Sequence, residues 1–327
     1  MTESHPNNRH AKGSILLFIN DVADSFRKFL FAAGTPIYRG MIRLFNACGF
    51  HLLRKHYYAP IPEEKELSFQ RDSDLVGIDM NVSASFNLLE TVFNTYKQEF
   101  NSFPHTAPGG DSGYFLLNES FMAIDGNVYY SFIRHLKPRK IVEIGSGNST
   151  ILATQAIAMN EKESCASSEL ICIEPYPGAV LRRTSPRLIT LVEKPLQHVT
   201  MDLFLSLEPN DILFIDSMHV LKSGGDVWYE YCEILPRLKS GVYIHVHDIS
   251  LPKPYPRVYF DQHLYWNEQY VLQAFLTYNA KFEVLWGGNY LMCHYQYRMQ
   301  AAFSPEYDIM RAHYPNSEPT SFWMRVK

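Results

Sequence analysis

The residues most suited to chemistry stand in one short stretch, residues 140–150, where an apolar run ends at an acid and a glycine turn follows. Glu143 lies two positions before Gly145, and Gly147 comes two positions after it. Glycine allows the backbone to turn sharply and to lie against a ligand without a Cβ in the way. A helical pattern begins directly afterwards, and the first N–H groups of a helix are unpaired and can bind a ligand. The stretch therefore predicts a binding site where a buried strand turns into a helix.

A second acid is suited to binding a ribose. Glu174 ends the next apolar run, and an ionised carboxylate has two oxygens that can accept hydrogen bonds from two hydroxyls. The dinucleotide fingerprint G-x-G-x-x-G/A needs a third small residue. Thr150 stands at that position, so the dinucleotide fingerprint fails.

Histidines and aspartates stand at the ends of two later apolar runs. Asp216 is followed by His219, and His247 is followed by Asp248. A neutral imidazole near pH 7 can take a proton from a hydroxyl, so both histidines are candidate general bases. We prefer His247, because a strand holds a side chain more rigidly than a loop holds His219. Either histidine can instead be a structural residue that bonds only to the backbone.

The two aspartates are also candidate metal ligands. Carboxylate oxygens suit magnesium and calcium, so Asp216 and Asp248 can hold such an ion. Because side chains alternate along a strand, His245 and His247 are expected on one face and Asp248 on the other.

These side chains need a scaffold that brings their strand ends together. Five apolar runs predict strands at 140–144, 170–174, 188–192, 211–216 and 242–247. Helical patterns fill the gaps, notably at 83–100, 125–136 and 225–238. Such alternation predicts a doubly wound sheet, in which ligands lie outside the carboxyl ends of the strands. Residues 282–286 and 290–294 predict a final hairpin-like pair.

Two segments resemble a known family. Residues 214–219 read F-I-D-S-M-H, and residues 241–249 read G-V-Y-I-H-V-H-D-I. They resemble the F-I-D-G-x-H and H-D motifs of class I S-adenosylmethionine-dependent methyltransferases, in the branch of macrocin O-methyltransferase and the cephalosporin hydroxylase group. The chain departs at Ser217, where the branch usually has glycine. It also departs at Ile249, where catechol-type members have a second Asp or an Asn that completes a metal site.

The resemblance implies a Rossmann-like, seven-stranded, mostly parallel α/β sheet with helices on both faces. It implies S-adenosylmethionine as the cofactor, with Mg²⁺ as a second one to test. The cofactor-binding residues that it implies are Glu143, Gly145, Ser146, Gly147, Ser149, Thr150, Glu174 and Asp216. The catalytic candidates are His247, His219, Asp216 and Asp248. Tyr114 and Phe115 become candidate lid residues, or equally core aromatics, and the loop 193–197 becomes the place for an adenine.

The chain outside this domain predicts helices and an insertion. Residues 1–62 are interpreted as an N-terminal helical extension and linker, and residues 63–327 as the methyltransferase domain. The amphipathic patterns at 14–33 and 36–54 can cap the main domain, form a homo-oligomer or lie on a membrane surface. Residues 250–270 are rich in proline and aromatics, which favours an acceptor-binding insertion or dimer packing.

Composition excludes several classes of protein. The net charge is −4 and the pI is near 6.4, without a basic cluster, which argues against nucleic-acid binding. The five cysteines are scattered and are interpreted as reduced thiols of a cytoplasmic protein, with a membrane-peripheral location as a variant. Charges interrupt the N-terminal apolar run, so neither a signal peptide nor a transmembrane segment is expected.

The sequence therefore predicts a methyltransferase that uses S-adenosylmethionine and a histidine base. Its acceptor is expected to be a hydroxyl of a sugar or of another hydroxylated small molecule. Two alternatives stay open. One is a metal-dependent oxygenase or hydrolase on the same fold. The other is a non-catalytic module that binds the cofactor while its N-terminal helices bind a partner.

Overall fold

The computed structural model describes residues 36–53, 56–107, 113–164, 167–183 and 189–327. The helix predicted at 14–33 lies outside these residues. The chain divides into two compact units, Met1–Ser68 and Phe69–Lys327. None of the helices in the described ranges combines the length and the apolar character that a membrane crossing needs.

The first unit contains helix α1, Pro36–Ala47, and the short helix α2, Glu64–Leu67. Proline suits the first turn of a helix, where its missing N–H leaves no bond unmade. The helix predicted at 36–54 ends earlier because Gly49 adopts a φ of 82°. Beyond that glycine, the Phe50 N–H donates to the Phe45 carbonyl at 2.9 Å, which closes the helix in the usual glycine-terminated way.

The second unit is built on a sheet that has seven strands in the described part of the chain. The strands are β1 Lys140–Ile144, β2 Glu169–Ile173, β3 Thr190–Val192, β4 Ile212–Ile215, β5 Tyr243–Val246, β6 Phe282–Gly287 and β7 Phe322–Val326. Their spatial order is β3-β2-β1-β4-β5-β7-β6, and only β7 runs antiparallel to its neighbours. The predicted doubly wound, mostly parallel α/β sheet is confirmed.

Helices cover both faces of this sheet. They are α3 Val82–Leu88, α4 Asn94–Phe100, α5 Asp125–Leu136, α6 Asn148–Ser164, α7 Ala179–Arg183, α8 Met201–Leu205, α9 Asp226–Tyr229, α10 Arg257–Asp261, α11 Glu268–Leu276, α12 Gly288–His294, α13 Gln296–Phe303 and α14 Glu306–His313. A π-helical segment, Leu89–Phe93, joins α3 to α4, so the helix predicted at 83–100 is continuous. A second π-helical segment, Glu230–Ile234, extends α9 into the 3₁₀ turn Leu235–Arg237.

Alternation along the strands separates two apolar layers. Ile141 of β1 packs in the layer formed with α3 to α6 and α12 to α14. Val142, the next residue, packs in the layer formed with α8, α9 and α11. A strand that is apolar on both faces is the signature of a buried parallel sheet. The site residues follow from the same alternation, because Glu143 must face the side of Ile141.

The predicted hairpin at 282–294 is wrong. Residues 282–287 do form β6, but its partner is β7, and Gly288–His294 is helix α12. A short continuous apolar run such as 290–294 does not distinguish a strand from a buried helical turn. Strand β7 was not predicted, because it lies far in the sequence from β5 and β6, the strands with which it pairs.

Candidate active site

The glycine turn after β1 is held by a buried carboxylate. Tyr129 donates a hydrogen bond to Glu143 at 2.9 Å, and the Thr150 hydroxyl donates to the other carboxylate oxygen. The Gly147 N–H in turn donates to the Thr150 hydroxyl at 3.1 Å. Glu143 and Thr150 are fully buried. We call Tyr129, Glu143, Gly147 and Thr150 the turn cluster, and its bonds fix the start of α6 to the end of β1.

The turn cluster makes Glu143 a poor direct ligand for a cofactor. Both of its oxygens already accept hydrogen bonds from within the protein. Burial raises the pKa of Glu143 to about 7, against the opposing effect of the hydrogen bonds from Thr150 and Tyr129. A carboxyl that is half protonated at neutral pH and closed off from solvent is suited to holding the turn.

The two glycines of the turn have different reasons to be glycine. Gly145 has a φ of 79°, and a Cβ added to it would lie 1.9 Å from the carbonyl oxygen of Asp216. Gly145 is therefore required by the close approach of the end of β4. A Cβ on Gly147 would have no described atom within 4 Å, so open space adjoins that backbone position.

The remaining predicted cofactor residues lie around this space. Glu174 directly follows β2 and is half-buried, and one of its oxygens accepts a hydrogen bond from the Tyr176 N–H at 2.8 Å. Ser146 stands inside the turn, and its hydroxyl has no hydrogen-bond partner among the described residues. Ser149 is buried in the first turn of α6. Asp216 directly follows β4, so the carboxyl ends of β1, β2 and β4 share one edge.

At the next strand end, His219 lies between three carboxylates. Its Nε2 is 3.3 Å from an oxygen of Asp216 and 3.3 Å from an oxygen of Asp248. Its Nδ1 is 2.8 Å from Glu268. We call these four residues the carboxylate–histidine cluster. Although burial lowers it, the hydrogen bonds to Asp216 and Glu268 hold the pKa of His219 well above its ordinary value. The imidazolium form of His219 is therefore favoured, with both ring nitrogens directed at carboxylates.

The aspartates of this cluster are exposed in part. The side chain of Asp216 is 32% exposed and that of Asp248 is 22% exposed. Although burial raises it, the charges of His247 and His219 lower the pKa of Asp216. Burial raises the pKa of Asp248. Asp216, His219 and Asp248 each offer one ligand atom, and these atoms lie within 4.8 Å of one another, so the three residues fit a divalent cation.

The position of Asp248 corrects one sequence prediction. Strand alternation predicted that Asp248 would point away from His247, but β5 ends at Val246 and Asp248 has a φ of 57°. This left-handed residue turns the chain, and its carboxylate lies 3.9 Å from His247 Nε2. His245 and His247 do share a face, with His245 Nε2 3.3 Å from His247 Nδ1.

The pKa values of the paired histidines of β5 shift in opposite directions. His245 is fully buried and stacks on Phe214 with a centroid distance of 4.2 Å. Burial, and then His247, hold the pKa of His245 well below its ordinary value, so it is neutral. Although burial lowers it, the charges of Asp248 and Asp216 raise the pKa of His247. His247 is thus the histidine at this edge whose Nε2 is not held in a hydrogen bond among the described residues.

Glu268 lies in the predicted acceptor-binding insertion, but its contact with His219 was not predicted from the sequence. It is fully buried at the start of α11, and its second oxygen accepts a hydrogen bond from Tyr231 at 3.1 Å. The N–H groups of Asn267 and Glu268 both donate to the carbonyl of His219, so α11 and the loop after β4 are joined by backbone as well. No local pattern marks this glutamate, since its role depends on a histidine far away in the sequence.

Aromatic residues of the predicted insertion border the cluster. The Trp266 ring lies 4.4 Å from that of His219 and 4.5 Å from that of Tyr259, between centroids. Burial, and then the charge of Asp248, raise the pKa of Tyr259 to about 12. By contrast, the candidate lid residue Tyr114 is a core residue, fully buried and bonded to the Phe121 carbonyl. Its neighbour Phe115 is half-buried.

The sequence is similar to one described family and to one protein of another organism. Residues 142–249 match the family model described as a methyltransferase domain. An uncharacterized protein of Archaeoglobus fulgidus is 34% identical over 168 residues, which are 48% of this chain and 74% of that protein. The chain belongs to the same family as this archaeal protein.

Three solved structures show a weaker likeness. The SAH-bound methyltransferase PaMTH1 of Podospora anserina is 14% identical, with 84% of this chain and 100% of that chain covered and a TM-score of 0.38. The cmcI protein with Mg and SAM is 13% identical, with 70% and 84% covered and a TM-score of 0.35. The O-methyltransferase of Bacillus cereus in complex with SAH is 13% identical, with 76% and 100% covered and a TM-score of 0.31. Likenesses at this level carry no argument about function.

Proposed function

We propose that this protein binds S-adenosylmethionine and transfers its methyl group to a hydroxyl of a small-molecule acceptor. One observation carries the proposal. Within a methyltransferase domain, the ends of β1, β2, β4 and β5 bring a glycine turn, Glu174 and the carboxylate–histidine cluster to one edge of the sheet. Ligands of open α/β sheets bind at such an edge, where the strand order reverses.

The residues at this edge fit the cofactor. Open space adjoins the backbone of Gly147, and the unpartnered hydroxyl of Ser146 can bind a polar group there. Glu174 presents a half-buried carboxylate suited to the ribose hydroxyls. Glu143, Gly145, Ser149 and Thr150 would act through the shape of the turn. The cofactor, when bound, supplies an activated methyl group, so the protein contributes orientation, a base and exclusion of water.

We assign the general base to His247. His219 is excluded because its two N–H groups are committed to carboxylates, which leaves it no lone pair to accept a proton. His247 Nε2 faces the same aspartates at a longer distance, and its other nitrogen lies against neutral His245. A proton taken from the acceptor hydroxyl by His247 would be stabilised by the charges of Asp216 and Asp248.

We also propose that Asp216 and Asp248 bind magnesium, with His219 as a third ligand in place of its proton. Such an ion, when bound, would orient the acceptor hydroxyl. We expect chelation to lower turnover and added magnesium to restore it. Asp248→Asn should weaken this restoration, while Asp261→Asn, an exposed aspartate of α10, should leave it intact. Full turnover after exhaustive chelation, with no metal found by elemental analysis, would reduce the aspartates to orienting the acceptor.

The acceptor is proposed to be a sugar or another hydroxylated ring. Trp266 and Tyr259 offer aromatic faces beside the carboxylates, and this combination suits a ring with hydroxyls on its edge. A cytoplasmic location and a homo-oligomer formed through the N-terminal helices remain predictions from the sequence.

Calorimetric titration with S-adenosylmethionine and with NAD, side by side, tests the cofactor. We expect binding of S-adenosylmethionine alone. Glu174→Ala should lose the ribose hydrogen bonds, each worth about 1.5–3 kcal/mol because the acceptor is charged. Glu161→Ala, which removes an exposed acid of α6, is the matched control. An unchanged affinity in Glu174→Ala would remove Glu174 from the site, and binding of NAD alone would overturn the proposed function.

A further inference from the structure

Helix α1 exposes an apolar face that the described residues of the first unit leave uncovered. No residue of α1 is buried. Ile37, Met41, Leu44 and Phe45 recur at the three- and four-residue spacing that places side chains on one side of a helix. Leu44 is 63% exposed, and Phe50, just beyond the helix, is 64% exposed. A continuous apolar strip of this kind in water indicates a surface that binds something.

The charges of the same segment identify the kind of partner. Arg39 and Arg43 are exposed and lie on the opposite side of α1 from the apolar strip. Residues 36–62 contain four Lys or Arg residues and no Asp or Glu, although the whole chain has a net charge of −4. The segment is thus a local cationic region in an acidic protein. Its partner must offer both hydrocarbon and negative charge.

We propose that α1 lies in the interface of an anionic lipid membrane, with its apolar strip in the acyl region and its arginines among the headgroups. Helices that bind membranes in this way combine a strong apolar face with a Lys- and Arg-rich polar face. A second copy of the helix would match the apolar strip, but it would leave the arginines, which lie on the opposite side, without a partner of negative charge. A lipid surface instead supplies the opposite charge, while the acidic remainder of the chain is repelled from it.

Sedimentation of the full chain with vesicles tests this proposal. Two compositions are used, pure phosphatidylcholine and an equal mixture of phosphatidylcholine and phosphatidylserine. We expect binding to the mixed vesicles that weakens with salt, because surface charges are screened. Arg39→Gln and Arg43→Gln should each lower the affinity for mixed vesicles about fivefold. Leu44→Glu should lower it at least about tenfold, since a leucine leaves the apolar phase.

A matched control separates the helix from the rest of the protein. Tyr297, in α13 of the second unit, is 90% exposed, so Tyr297→Glu makes the same kind of change elsewhere. Its binding should equal that of the unaltered chain. Equal binding by Leu44→Glu, or equal binding to the two vesicle compositions, would overturn the proposal. A dimer in analytical ultracentrifugation that Leu44→Glu dissociates, with no vesicle binding, would overturn it in favour of a second copy.

Discussion

The turn cluster and the carboxylate–histidine cluster use similar residues at one sheet edge for opposite purposes. In the turn cluster, one fully buried carboxyl, Glu143, accepts hydrogen bonds from neutral hydroxyls. In the carboxylate–histidine cluster, three carboxylates surround one imidazolium, and two of them, Asp216 and Asp248, remain open to solvent in part. The first arrangement is closed and uncharged enough to hold a backbone turn. The second keeps charge where a ligand can reach it.

An acid at a strand end is thus not by itself a binding residue. What separates the two clusters is exposure, since Glu143 is fully buried, whereas Asp216 and Asp248 are open to solvent in part. Buried polar groups are almost always hydrogen-bonded. Both oxygens of Glu143 accept such bonds. Charged groups gathered at a functional site shift the pKa values of one another.

The most damaging single substitution is expected at Gly145, where the two clusters meet. Gly145→Ala should lower the free energy of unfolding by more than about 4 kcal/mol, or abolish folding, because the new Cβ would meet the Asp216 carbonyl at a strained φ. Gly147→Ala is the matched control, since its Cβ meets no described atom within 4 Å. It should fold normally and lose affinity for S-adenosylmethionine. Urea unfolding followed by circular dichroism gives both values. Similar stabilities for the two variants would show that the edge of the sheet can relax.

A smaller effect, on activity alone, is expected at His247. His247→Ala should lower the turnover rate about 10²–10⁴-fold, the usual contribution of a positioned general base. Cofactor affinity and the melting temperature should stay near those of the unaltered protein. His219→Ala is the comparison, and its damage should show as altered binding and stability, since it leaves three carboxylates without their cation. Near-full turnover in His247→Ala together with none in His219→Ala would pass the assignment to His219. Activity in both variants would leave the reaction without a histidine base.

Much of the scaffold could be predicted because its signals are local. The apolar run, acid and glycines of residues 140–150 are contiguous, and alternating strands and helices specify a doubly wound sheet without further information. The acids at the ends of β1, β2 and β4 follow from the same register.

The rest of the site depends on contacts between distant residues. Glu268 contacts His219 because α11 packs beside the loop after β4. The sequence near Glu268 does not indicate this contact. The direction of the Asp248 side chain depends on the left-handed backbone conformation of Asp248 itself, which strand alternation does not predict. The structural role of Glu143 could not be predicted for the same reason, because the hydrogen bonds that it accepts come from Tyr129 and Thr150 on two different helices.

The smallest effect concerns the pH dependence of stability, and it tests whether Glu143 is structural. The carboxyl of Glu143 titrates near 4.5 in the unfolded chain and at about 7 in the folded protein. Between these values the folded state holds a proton that the unfolded state has lost. Its contribution is therefore fully present below pH 4.5 and is lost as the pH rises through 7. The difference of the two pKa values corresponds to roughly 3 kcal/mol.

Glu143→Gln should remove this dependence, because an amide does not titrate. The stability of the unaltered protein minus that of the variant should therefore fall by roughly 3 kcal/mol between pH 4.5 and 7. Urea unfolding at a series of pH values measures it, and the other titrating groups cancel in the difference. Thr150→Val provides a second check, since loss of the hydroxyl that donates to Glu143 should raise the pKa of Glu143 further and extend the fall to higher pH. If Glu143→Gln and the unaltered protein instead give parallel curves, the carboxyl does not titrate in this range. Glu143 would then be a charged residue like Asp216. The proposed difference between the turn cluster and the carboxylate–histidine cluster would be wrong.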